Sequence, residues 1–180
     1  MKELNISLDK ENFDKVFHDL KNLADKKKTV TDRDIEALIM DISACVPETW
    51  KLDSWAVSTG SALETAAVCA TGEICLVNKN GEQKKYSAAG DGPLDSIFKA
   101  INKIIGRQPE LELYELGAVT GGSSSQGETI IKIALDSHGR RRRWNGRGVS
   151  TDVIESSIKA YISAINAMEY ELADKTGNEL

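Results

Sequence analysis

Two glycine-rich stretches carry the residue types best suited to meet a ligand. The first is Gly90-Asp91-Gly92-Pro93-Leu94-Asp95-Ser96-Ile97, and the second is Gly146-Arg147-Gly148-Val149-Ser150-Thr151-Asp152-Val153-Ile154. Each sets a Gly-x-Gly ahead of an acidic residue and an apolar pattern of helical period. A glycine turn entering a helix admits a ligand close to the backbone and aims N–H groups at it, which suits a carboxylate or a phosphate. The plainer alternative is that these glycines simply turn the chain from strand to helix. Their occurrence twice, in matching surroundings, points to a duplicated architecture.

Catalytic chemistry is not legible. No nucleophile elbow, P-loop, His-Glu-x-x-His or Cys–His pairing occurs, and the carboxylates fall at helix caps and exposed faces. Cys45, Cys69 and Cys75 form no Cys-x-x-Cys and cannot all pair, which suits reduced thiols in a cytoplasm. Neither His18 nor His138 has a Cys or His at ligand spacing, so no metal site is expected. Two polar stretches remain. Thr120-Gly121-Gly122-Ser123-Ser124-Ser125-Gln126-Gly127 reads as a linker between strands or as a loop lining a pocket. Arg140-Arg141-Arg142-Arg143, with Trp144 beside it, reads as an edge strand protected by charge, with nucleic-acid or anion binding as the alternative.

The bulk properties narrow the classes. The 180 residues suit one domain with a small appendage, and a composition of 41% hydrophobic and 28% charged residues is ordinary for a globular protein. A net charge of −5 argues against non-specific nucleic-acid binding. Met1-Lys2-Glu3-Leu4-Asn5 lacks the apolar core of a signal peptide, and no run approaches membrane-spanning length. Neither nucleic acid nor membrane is expected as a partner, and a cytoplasmic location follows.

The elements that must position the glycine stretches follow from periodicity. Residues 9–26 read as an amphipathic helix with Phe13, Val16, Phe17, Leu20 and Leu23 on one face. Thr31 caps a second helix bearing Ile35, Leu38, Ile39 and Ile42, which ends before Pro47. Together they form an N-terminal helical hairpin, residues 1–50, and residues 48–54 read as a connector. Residues 51–180 then form the main domain, in two units at about 55–106 and 111–173. In the first, residues 55–60, 64–70, 74–77 and 83–87 are four strand candidates for about three strands, followed by a helix with Pro93 at its favoured first position. In the second, residues 113–120, 128–136 and 140–144 are strands, and Asp152 with Glu155 opens the last helix. Asp95, Ile97, Ala100 and Ile101 are matched to Asp152, Ile154, Ser157 and Ile158. The tail from Asp174 reads as frayed. The fold class is α+β: two βββα units related by a pseudo-twofold, sheet against helices.

Gly90-Asp91-Gly92-Pro93-Leu94-Asp95, Tyr114-x-x-x-Ala118-Val119-Thr120-Gly121-Gly122, Gln126-Gly127-Glu128 and Gly146-x-Gly148-x-Ser150-Thr151-Asp152-x-Ile154-Glu155 occur in that order. This series resembles the C-terminal regulatory domain of the 2-isopropylmalate synthase and citramalate synthase family. Leu23-Ala24-Asp25-Lys26-Lys27-Lys28 and Thr31-Asp32-x-Asp34 are similar to the helical linker that precedes it. The resemblance implies a homodimer that binds leucine or isoleucine as feedback inhibitor. It further implies a TIM-barrel partner, in cis or trans, that condenses acetyl-CoA with a 2-oxo acid using a divalent metal; no cofactor is implied for this chain. The chain is then a part of a longer enzyme or a free-standing regulatory protein. Carried over by position, the effector residues are Gly90, Asp91, Gly92, Leu94, Asp95, Leu111, Tyr114, Ala118 and Ser125, and no catalytic residue is implied. Asp91 or Asp95 would hold the ammonium, although either is equally suited to capping its own helix.

Overall fold

The computed structural model describes residues 17, 18, 21, 47–62, 67–118, 126–137 and 139–176. Apart from three helical residues, Phe17, His18 and Lys21, residues 1–46 of the expected N-terminal hairpin lie outside them, as do residues 63–66, 119–125, 138 and 177–180. The main domain reads β1 (Trp50–Ala62), β2 (Ala67–Asn78), β3 (Gln83–Gly90), α1 (Pro93–Ile105), β4 (Glu110–Ala118), β5 (Gly127–Ser137), β6 (Arg140–Ser150) and α2 (Val153–Thr176). Two antiparallel three-stranded sheets result, ordered β1-β2-β3 and β4-β5-β6, each followed by its helix. This is the expected α+β, βββα-twice architecture.

The two units share one core. Ile74, Leu76, Ile97 and Ile101 of the first meet Ile131, Ile133, Ile158, Ile165 and Met168 of the second in a single buried cluster. In the central strand β5, Thr129, Ile131 and Ile133 alternate onto the buried face, the period of two that a strand covered by a helix requires. The duplication extends to irregularities. A register break falls between Leu52 and Ser54 in β1 and at the matching place, between Leu111 and Leu113, in β4.

Several sequence expectations need correction. Residues 50–54 are not a connector but the start of β1, because Trp50 is buried in the core. The candidates at 64–70 and 74–77 merge into β2, since Gly72 continues the strand while α1 approaches it closely. α2 keeps helical backbone through Thr176. The helices also align differently from the expected pairing of Asp95 with Asp152. Asp95 binds Lys99 at 2.7 Å as Glu155 binds Lys159 at 2.8 Å, and Ser96 Oγ donates to Pro93 O as Ser156 Oγ donates to Val153 O. Gly92 therefore corresponds to Asp152, one turn away from the sequence-based match.

The Gly146-x-Gly148 pair is not a turn. Both residues lie inside β6, and a Cβ on Gly146 would stand 2.0 Å from Ala160 O, one on Gly148 2.1 Å from Ser156 O. These glycines let α2 lie backbone against backbone on its strand, along the small-residue stripe Ser156, Ala160 and Ala164. Gly90 does the same for α1, where a Cβ would meet Ser96 N at 2.5 Å.

Candidate functional site

The start of α1 is built from neighbouring residues. Gly92 is the N-cap in extended conformation, Pro93 opens the helix, and the Ser96 N–H donates the first helical bond to Gly92 O at 3.0 Å. Asp95 Oδ2 then reaches back to accept the Asp91 N–H at 2.8 Å and takes Lys99 Nζ at 2.7 Å. The bond from Lys99 holds the Asp95 carboxyl below its ordinary range, with the Asp91 N–H adding to this against the opposing effect of burial. Asp95 thus serves its own helix.

The corresponding start of α2 is closed. Asp152 Oδ1 accepts the N–H groups of Ile154 at 2.7 Å and Glu155 at 2.9 Å, and Ser150 Oγ donates to Glu155 Oε2 at 2.6 Å. In α1 the N-cap is a glycine and offers no side-chain cap to the equivalent N–H groups of Leu94 and Asp95. A carboxylate brought by a ligand can occupy the position that the Asp152 carboxylate fills in α2.

A cavity of about 440 Å³ runs beside this helix start. Leu94, Asp95, Phe98, Lys99 and Asn102 line it from one face of α1, Pro109, Leu111 and Tyr114 from the approach to and body of β4, and Tyr161 from α2. Leu94, Phe98 and Asn102 fall four residues apart, the spacing that places side chains above one another on a helix. Phe98 stacks on Tyr161 with ring centroids 4.2 Å apart, and the Tyr161 hydroxyl donates to Asn102 Oδ1 at 2.8 Å. Burial pushes that phenol up to about 12, so it stays a neutral donor. Tyr114 OH, at the cavity wall, and Ser157 Oγ share a hydrogen bond of 2.9 Å, and buried Thr129 pairs with Ser156 at 2.8 Å. An apolar body flanked by polar ends suits a small zwitterion with an aliphatic side chain.

Of the residues carried over by resemblance, Leu94, Asp95, Leu111 and Tyr114 line this one cavity. Gly90, the last residue of β3, and Asp91 and Gly92, which lead into α1, are not among its lining residues. Ala118 ends β4, paired with Gly127, and its side chain, like Ser125 as a whole, lies outside the described residues. Sequence reasoning missed Phe98, Lys99, Asn102, Pro109 and Tyr161. The signal for two of them was available: Phe98 and Asn102 continue the Leu94 face of α1, and Asn102 is polar within an otherwise apolar pattern.

The arginine run is engaged rather than simply solvated. Arg141 bonds Glu110 at 2.6 Å and Glu112 at 2.8 Å, Arg143 bonds Glu112 at 2.6 Å, and Arg142 lies 3.7 Å from Glu171. Carboxylates from β4 and α2 therefore offset this charge, which leaves little to attract a polyanion.

Comparison with known proteins shows the family. The LeuA allosteric (dimerisation) domain family matches residues 29–169. The 2-isopropylmalate synthase of Carboxydothermus hydrogenoformans is 43% identical over 173 residues, covering 96% of this chain and 32% of that enzyme. Those of Ruminiclostridium cellulolyticum and Heliobacterium modesticaldum are 38% and 35% identical, over 97% and 99% of this chain. The chain spans about a third of the length of these curated relatives. By the extent of the match and the order of its motifs, the chain belongs to the LeuA allosteric (dimerisation) domain family.

Proposed function

We propose that this chain senses a branched-chain amino acid, leucine or isoleucine, and acts as the feedback-inhibited regulatory part of a 2-isopropylmalate synthase-type enzyme in the cytoplasm. The observation that carries the reading is the α1 start. An N-cap without a side chain heads a helix whose Leu94 and Asp95 line an apolar cavity, whereas the duplicated helix start is closed by Asp152. The ligand carboxylate takes the N–H groups of Leu94 and Asp95. Leu94, Phe98, Leu111 and Tyr114 wall its side chain. Asp91 is better placed than Asp95 to meet the ammonium, because Asp95 is already held by Lys99 and the Asp91 N–H.

The chain acts as a homodimer. β4 is an edge strand whose Leu111, Tyr114 and Leu116 are 41%, 36% and 51% exposed, apolar area that a second copy would cover next to the cavity. The acetyl-CoA-dependent acyl transfer belongs to a barrel partner, in cis or trans, and no step of it is assigned to these residues.

A thermal-unfolding titration with leucine, isoleucine, valine and a polar amino acid tests the reading. A ligand at 100 times its dissociation constant stabilises the native state by about 2.7 kcal/mol. A saturable rise with leucine or isoleucine is expected. A flat response with dimerisation intact would leave a dimerisation module without ligand response.

A further inference from the structure

The helix that closes one side of the cavity also holds the first residue of the domain's sheet. Asn166 of α2 is buried, and its amide clasps the backbone of Trp50. The Trp50 N–H donates to Asn166 Oδ1 at 2.9 Å, and Asn166 Nδ2 donates to Trp50 O at 2.9 Å. The amide thus takes the place of a neighbouring strand on the open edge of β1. A buried amide is tolerated when both of its polar groups are paired, as they are here.

Ser157 and Tyr161, one turn apart on α2, meet the cavity through Tyr114 and Asn102. Asn166 lies five residues beyond Tyr161, roughly 140° around the helix and about 7.5 Å along it. One rigid element therefore carries the cavity contacts on one face and the Trp50 clasp on another. Among the described residues, the first unit has no counterpart. By the Asp95–Glu155 alignment, the residue equivalent to Asn166 is Gly106, where α1 has already ended.

We propose that Asn166 is the output contact of the cavity: occupancy fixes α2 against α1 and β4, and the clasp passes that constraint to Trp50, where the preceding chain enters the sheet. The inference rests on the ligand reading above and supplies its route. Coupling of this kind requires an element whose state both ends bias, and α2 is that element.

Amide hydrogen exchange on the whole chain, with and without saturating leucine or isoleucine, reads it directly. With ligand at 100 times its dissociation constant, openings that release the ligand are suppressed about a hundredfold. The Trp50 amide and those of residues 51–56 are expected to slow by more than about tenfold, together with residues 94–99. In Asn166→Leu, residues 94–99 should still slow while residues 51–56 lose their response. Slowing at 94–99 with Trp50 unchanged in the native chain would overturn the coupling alone, whether or not the variant folds. A response at 51–56 retained in a folded Asn166→Leu would also overturn it. If neither amino acid slows residues 94–99, the ligand reading itself fails and the coupling falls with it.

Discussion

Replacing Gly146 by alanine separates the two physical roles a Gly-x-Gly can have. The new Cβ would stand 2.0 Å from Ala160 O, 2.5 Å from Ala164 N and 2.9 Å from the Ala164 Cβ. Two of these neighbours are helix backbone and the third a methyl, so no rotamer change relieves the contact. α2 would have to lift from β6 by more than an ångström to bring the first distance to the 3.4 Å of ordinary contact. That motion would open the packing of Ile158, Ile165 and Met168, all fully buried. Overpacking typically costs about 1–3 kcal/mol, and a clash with backbone on a central helix belongs at or above the top of that range. At about 2–4 °C per kcal/mol for a chain of this size, the midpoint should fall by roughly 6–12 °C. Urea titration gives the free energy, and Gly117→Ala, whose Cβ meets nothing within 4 Å, is the control and should be near neutral. If Gly146 were a ligand-facing turn, alanine would leave stability unchanged and weaken ligand binding. A loss below about 1 kcal/mol with an unchanged slope would therefore refute the packing argument.

Other outcomes follow from the same geometry. Asp152→Ala removes the acceptor for the Ile154 and Glu155 N–H groups and should cost about 1 kcal/mol in urea unfolding. The Glu112 carboxyl is held below its ordinary value first by Arg143, with Arg141 adding. Because its folded value lies below its unfolded one, its contribution is complete above the ordinary value of 4.5 and is lost as pH falls through the folded value. Thermal midpoints between about pH 5 and pH 3 should thus fall more steeply for the native chain than for Glu112→Gln. The paired arginines predict no DNA or RNA retardation in low-salt gels. A complex that dissolves steeply with salt would contradict this.

The layers of the fold were legible because they rest on periodicity. The alternation of Thr129, Ile131 and Ile133 and the stripe from Leu94 to Ile105 each specify one buried face. Strand ends were not legible where glycine interrupted the pattern. Gly72, Gly146 and Gly148 read as breaks, yet in the structure they extend β2 and β6 by admitting a helix, and only the position of that helix distinguishes the two cases. The same ambiguity shifted the match between units. Aligning acidic residues by type paired Asp95 with Asp152, while the hydrogen bonds pair it with Glu155. For the site, Leu111 and Tyr114 came from resemblance in motif order, and Tyr161 could not have been found without knowing that α2 packs across α1. The Asn166 clasp joins residues 116 apart, a contact no local pattern announces.

On the proposed reading, the glycine N-cap of α1 leaves a place for a ligand carboxylate. Gly92 has extended backbone open to any residue, with φ −168°, and a Cβ there meets nothing within 4 Å. Gly92→Asp would install on α1 the cap that Asp152 provides on α2, raising stability by roughly a few tenths of a kcal/mol. Calorimetric titration of leucine and isoleucine into both proteins is the direct test. Saturable binding to the native chain, and its loss in a folded, slightly stabilised Gly92→Asp, are expected. Undiminished binding to Gly92→Asp, or none to the native chain, would contradict that reading.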